Sequence, residues 1–242
     1  MLKTAGALLF LLLSPVLSAE EIPDFIANYR VELNGIQAGE LVRSLSTEES
    51  GQRLFTSTSQ AKGVFALIKP DVITESSRWH WNGEGVQPDR YVYERSGGKK
   101  EKWLEMQFDW DNGTASIDDK EQPWQLTLEP GTLDKLVYQI SLMHDLDEHS
   151  KNISYRIADG GHIKTYNIQV VGTETVTTPM GKIQAVKLIR QRDSDSDRET
   201  TLWCAPALNY MPVKLTHKED GTTFTAMIRR LQGMNSNAAF SR

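Results

Sequence analysis

Apolar and polar side chains alternate with period two along most of this chain, and short clusters of Gly, Asn and Asp interrupt the alternation. That pattern points to half-buried strands joined by tight turns, because successive side chains of a strand face opposite sides of the sheet. In the run from Phe25, the residues Phe25, Ala27, Tyr29, Val31 and Leu33 alternate with Ile26, Asn28 and Arg30. Asn34-Gly35 follows, the strongest short hairpin signal, and a second alternating run leaves it.

The same grammar continues. "RLFTSTSQ", "VFALIKP" and "DVITESSRWHW" read as strands leading to the turn "NGEG", and "VQPDRYVYERS" breaks at Gly97-Gly98. In "KEKWLEMQFDW", Leu104, Met106, Phe108 and Trp110 share one face, while Trp103, Glu105, Gln107 and Asp109 share the other. "TASID" is a short strand after the turn "DNG". The last third adds "KNISYRIAD", "HIKTYNIQVVGTETV", "GKIQAVKLIRQRD", "RETTLWCA", "MPVKLTHKED" and "TTFTAMIRRL". Sequential strands tend to pair with their neighbours, so an antiparallel meander is expected.

One segment breaks the pattern. Apolar residues at 133, 136, 137, 140, 143 and 146 have close to helical spacing. The spacing predicts a helix from about Leu133 to about Asp147, N-capped by Thr132 after Pro130-Gly131, with its apolar stripe against the sheet. The fold expectation is therefore mainly β: a strongly curved antiparallel meander, an open or half barrel, with one helix packed on it. No repeat or linker divides the chain, so one domain is expected over residues 20–232, with a disordered tail at 233–242.

The N-terminus has Lys3, an apolar run from Ala5 to Leu13, the breaker pair Ser14-Pro15 and small residues before Glu20. This is the order of a secretory signal peptide, residues 1–19, cut after Ala19. The run is too short for a membrane span, which needs about 20 apolar residues. A periplasmic protein without a transmembrane anchor is expected. The formal charge of −5 becomes −6 once Lys3 is removed. That mild acidity argues against nucleic acid and against simple electrostatic binding to anionic lipid headgroups.

Cys204 is the only cysteine, so no internal disulfide can form and the core alone must hold the fold. Trp203-Cys204-Ala205-Pro206 has no base in its local motif and matches no cysteine-hydrolase signature. It reads as a small buried residue at a strand end, before a turn from Ala205 to Tyr210 and a returning strand in which Pro212 fits an edge or opening position. "DSDSDRET" fails as a calcium loop, since the sixth position is Arg198 and the twelfth Cys204. His144 and Glu148 share a helix face, but His149 is out of step, so "HDLDEH" is a polar helix end rather than a zinc-protease pair. There is no nucleophile elbow, phosphate loop or dinucleotide fingerprint. No catalytic residue, metal ligand or cofactor is assigned.

Of the six tryptophans, Trp79, Trp81, Trp103, Trp110, Trp124 and Trp203, most are expected in the core. Trp103 stands out because its strand face is otherwise polar. Leu104, Met106, Phe108 and Trp110 are the candidate apolar lining, with Trp103 as a further candidate.

Four stretches carry a resemblance: "RYVYERSGGKKEKWLEMQFDWDNG", "GTLDKLVYQISLMHDL", "TPMGKIQAVKLIRQRD" and "LWCAPALNYMPVKLTH". Their order and spacing resemble the domain-of-unknown-function family three-one-zero-eight, exported proteins of Gram-negative bacteria. The resemblance implies a periplasmic, curved antiparallel sheet with a helix on it and supplies no catalytic residues. A curved sheet with a helix also looks like the periplasmic lipoprotein carriers, at the level of fold only.

Three functions are carried forward. The first is a non-enzymatic binding or scaffold protein, its curved sheet enclosing an apolar groove for a lipid or other apolar envelope component. The second is an envelope hydrolase acting on carbohydrate or ester bonds with carboxylates on the concave face, which requires two of them to converge in a cleft. The third is an interaction module that docks an envelope protein at strand edges or at Trp103.

Overall fold

The turns that the sequence marks reverse the chain fifteen strands deep into one sheet. The computed structural model describes residues 22–120, 123–147, 149–191, 198–236 and 238–241. The segment 1–19 expected as a signal peptide, the whole of "DSDSD" and Glu148 lie outside the described residues. The first eight strands are β1 (Phe25–Leu33), β2 (Ile36–Thr47), β3 (Arg53–Ala61), β4 (Val72–Trp81), β5 (Val86–Ser96), β6 (Lys102–Asp109), β7 (Thr114–Asp118) and β8 (Trp124–Thr127). A short helix, α1 (Val64–Ile68), links β3 to β4. Strand β9 (Thr132–Asp134) leads into helix α2 (Tyr138–Asp145). The remainder are β10 (Asn152–Asp159), β11 (His162–Thr178), β12 (Gly181–Gln191), β13 (Glu199–Ala205), β14 (Met211–Glu219) and β15 (Thr222–Gln232).

The order across the sheet is β8-β7-β6-β5-β4-β3-β2-β1-β15-β14-β13-β12-β11-β10-β9. Two meanders thus meet where β1 pairs with β15, and every neighbouring pair is antiparallel except β9 with β10. The sheet is mainly β and not closed by hydrogen bonds, as the alternation predicts. Register shifts between Asn28 and Tyr29, between Arg78 and Trp79, and between Val170 and Gly172 mark bulges. Each leaves an extra residue on one strand, which bends it and increases local twist. Gly39 serves the same curvature: a Cβ there would lie 2.5 Å from the Gln60 carbonyl oxygen, so β2 and β3 approach as only glycine allows.

The two open edges face one another. Trp124 of β8 reaches the β10–β11 turn, where a Cβ on Gly161 would lie 2.5 Å from Trp124 Nε1. Gly161 has φ +81°, so this turn needs glycine for conformation as well as for space.

Helix α2 departs from the expectation. The predicted apolar positions Leu133, Leu136, Val137, Ile140, Met143 and Leu146 are all buried, but the helix covers only Tyr138–Asp145. Thr132 caps no helix; it opens β9, which pairs with β10, and its hydroxyl donates to the Glu129 carbonyl at 2.8 Å. The helix N-cap, Val137, has no side-chain capping bond; Asp134 instead closes the turn before the helix, its Oδ1 accepting from the amides of Leu136 and Val137 at 2.8 and 2.7 Å. Tyr138, Gln139, Ile140, Ser141, Leu142 and Met143 are consecutive and all buried. A helix buried on every side lies inside a core rather than on its surface, so α2 fills the concave face of the sheet.

Two smaller expectations change. "VFALIKP" is not a strand: Gln60 pairs with Val72 and β3 ends at Ala61, so residues 62–71 form the β3–β4 connection and coil into α1. The tail is not free, because Ser241 and Lys182 exchange backbone hydrogen bonds at 2.7 and 2.8 Å and Phe240 packs on the core.

Candidate functional site

Period two in β5 places Tyr91 and Tyr93 on one face, and the Gly97 hairpin sets β6 against them in the register Tyr91↔Met106 and Tyr93↔Leu104. Four side chains therefore line one patch of inner wall. Across the seam between the sheet edges, Lys135 leaves the β9–α2 turn, Ala158 and Asp159 end β10 and Gly160 follows in the turn. Together with Lys102 they enclose a cleft of about 160 Å³.

The polar groups around this cleft are paired with one another. Tyr91 donates to Glu75 Oε1 at 2.6 Å, and Lys135 Nζ lies 3.4 Å from the same oxygen. The Lys135 ammonium sits 4.4 Å from the Tyr93 ring centroid and 5.6 Å from that of Tyr91, a cation–π arrangement. Burial, with Glu75 next, pushes both tyrosine hydroxyls above their ordinary range. Asp159 is paired with Lys164 at 2.7 Å.

Behind the cleft, Asp134 is fully buried. Its Oδ2 accepts from Ser77 at 2.5 Å, so the carboxyl ties α2 to β4. Burial pushes its pKa up to about 6, against the opposing pull of the Ser77 hydroxyl and two amides.

The five candidate residues separate. Leu104 and Met106 are buried and line the cleft. Phe108 stacks on Trp110 with centroids 5.9 Å apart, and Trp110 donates to the Pro88 carbonyl at 2.7 Å. Trp110 lies in the turn after β6, and neither aromatic lines the cleft. Trp103 is half-buried on the opposite face, with Lys120 Nζ 5.1 Å from its ring centroid. Of the apolar face predicted for a groove, Leu104 and Met106 thus belong to the core and border the cleft, while Phe108 and Trp110 pack against the core away from it. Sequence reasoning missed Tyr91, Tyr93, Glu75, Lys135 and Asp159. The alternating "YVY" and a count of pairs outward from Gly97-Gly98 would have brought the tyrosines onto Met106 and Leu104; nothing local points to Lys135 or Asp159, which arrive from the far half of the chain.

Cys204 is buried at a register shift between β13 and β14. Burial pushes its thiol well above the ordinary range, against a smaller opposing pull from Arg43, as for a buried unreactive thiol. Trp79 and Trp203 are buried, and Trp81 is exposed with its ring centroid 4.5 Å from that of His144. Among the described residues, no group of three or more His, Cys, Asp or Glu is placed to hold a metal ion.

Comparison with solved structures finds the crystal structure of a beta-barrel-like protein of the domain of unknown function DUF1849 from Brucella abortus. The match has a TM-score of 0.57 and 11% identity, and covers 88% of this chain and 99% of the other. At that identity the likeness is one of fold. No curated protein matches in sequence. The family model described as a protein of unknown function, DUF3108, matches residues 28–229. A match over that much of the sequence shows that the chain belongs to the DUF3108 family.

Proposed function

We propose that the protein is a non-enzymatic binding and scaffold protein of the periplasm that engages its partners through its rim and outer surface, its interior being filled by its own helix. The all-round burial of Tyr138 to Met143 carries this reading. A lipid carrier needs an apolar cavity. Small-molecule sites run from about 300 to 1,000 Å³ and are mostly apolar, whereas the seam cleft holds about 160 Å³ and opens onto two lysines, and a larger groove of about 340 Å³ on the β10–β11 surface is lined mainly by the polar Asn152, Ser154 and Asn167. The carboxylates favour this reading over a hydrolase. Both oxygens of Asp134 accept hydrogen bonds within the fold, and Glu75 is engaged through Oε1 by Tyr91 and Lys135, so the two carboxylates serve the fold's own network.

Native mass spectrometry of protein purified from its own envelope, joined to amide hydrogen exchange, tests the proposal. The expected result is the bare polypeptide mass, with α2 amides among the slowest to exchange. A stoichiometric lipid surviving detergent exchange, or fast exchange throughout α2, would return the interior to a ligand and overturn it.

A further inference from the structure

The rim of the barrel carries a second feature, unrelated to what fills the interior. Helix α1 has no buried residue. Val64, Leu67 and Ile68 are 69%, 86% and 82% exposed. Their i, i+3, i+4 spacing puts all three on one helical face, which here points to solvent. Ile36, 63% exposed, begins the neighbouring strand on the same rim, two residues from Ala38, whose carbonyl accepts from the Lys62 amide at 2.9 Å. Single exposed aliphatics need no explanation, but a cluster of them on one protruding turn does.

The surrounding exposed charge is mostly positive. Lys62 and Lys69 flank α1, Lys62 pairing with Glu40 at 3.5 Å, and the β5–β6 turn beside it carries Lys99 and Lys100, all four lysines exposed. The two loops are fastened together: a Cβ on Gly97 would lie 3.1 Å from the Pro70 carbonyl oxygen, and Arg95 Nε pairs with Asp71 Oδ1 at 2.5 Å. That pair neutralises Asp71, which leaves Glu101 as the one exposed acid of these loops. A chain of net charge −5 thus gathers lysines around its most exposed aliphatic face.

We infer that α1 and the adjoining lysine turn form a docking surface for an anionic phospholipid bilayer. Aliphatic side chains on one face with a lysine fringe match the apolar boundary and headgroup layer of such a surface. Protein-interface anchors are by contrast enriched in Trp, Tyr and Arg, and among the described residues no exposed aromatic stands in α1. Val64, Leu67 and Ile68 enter the acyl boundary, while Lys69, Lys99 and Lys100 meet lipid phosphates.

Flotation of the exported chain with phosphatidylethanolamine–phosphatidylglycerol vesicles tests this, beside phosphatidylcholine vesicles as control. Binding is expected only to the anionic vesicles and should weaken with salt. The double variant Leu67→Asp, Ile68→Asp should lose about ten-fold or more in binding with an unchanged melting temperature, because both side chains are solvent-exposed. Lys99→Glu with Lys100→Glu should weaken binding and flatten its salt dependence. No binding by the wild type, or equal binding by either variant, overturns the inference. So does a wild-type dimer in sedimentation that the double aspartate variant dissociates, which would assign the face to a second copy of the chain.

Discussion

Asp134→Asn should remove a pH dependence that one buried carboxyl imposes on the whole fold. In the folded protein Asp134 titrates near 6, against an ordinary value of 3.8. Between those values the unfolded chain releases a proton that the folded chain keeps, so folding becomes less favourable as pH rises. The stabilisation is full below 3.8 and is lost as pH passes through about 6. A displacement of that size corresponds to about 3 kcal/mol, a large part of the total stability of an ordinary domain. Glu75 on β4 adds to the rise. Asparagine keeps an oxygen for the Leu136 and Val137 amides and presents its NH₂ to the Ser77 hydroxyl, so the link from α2 to β4 survives without the titration. Asp71, Glu105, Asp109 and Asp147 are depressed by their hydrogen-bond partners and push the other way, losing stability on acidification. They are common to both proteins and cancel in the difference. Urea unfolding followed by tryptophan fluorescence from pH 4 to pH 7.5, which begins after the unfolded carboxyl has half titrated, should therefore show wild type losing about 2 kcal/mol of that relative to Asp134→Asn. A gap constant to within a few tenths of a kcal/mol would refute the assignment of a buried, proton-retaining carboxyl.

Leu142→Ala, on the buried helix, should cost about 2–5 kcal/mol of unfolding free energy, because the cavity left inside the sheet cannot collapse fully. The same truncation at Leu67 on α1 should stay within about 0.5 kcal/mol of wild type; comparable losses at both sites would mean that α1 is packed. Cys204 should label slowly with a thiol reagent at neutral pH and rapidly in denaturant, because its thiol is buried and its pKa raised. Rapid labelling of folded protein would restore it as a reactive site.

The strand assignments were legible because their causes are local. Side-chain alternation from Phe25 to Val31 needs only the pleat, and Asn34-Gly35 needs only the left-handed conformation that both residues adopt, at φ 49° and 80°. The helix was half legible. The apolar positions from Leu133 to Leu146 were recognised as core, but the same residues serve a strand, a capped turn and a helix in succession. What divides them is β10, which arrives later in the chain and pairs with Thr132 to Asp134. The packing of the interior was not legible at all. Leu104 and Met106 alternate as residues of any half-buried strand do, and only the register of β5 on β6 and the arrival of Lys135 and Asp159 from the far half of the chain place them at a cleft.

Charge shows the same limit in another form. The chain's net −5 argues against an anionic surface as partner, and as an average it is correct. Binding surfaces, however, respond to charge within about a Debye length, roughly 10 Å. Lys62 and Lys69 are far from Lys99 and Lys100 in sequence, and it is the register of β4 on β5, Val72 opposite Ser96, that brings their loops together. The apolar residues between them follow the same logic. "VFALI" reads as one more buried strand until Gln60 pairs with Val72 and leaves no partner for it. Once unpaired it coils, and its aliphatic face has only solvent or a bilayer to meet. The segment that departs furthest from the strand pattern is thus the one on which a surface function of this fold turns.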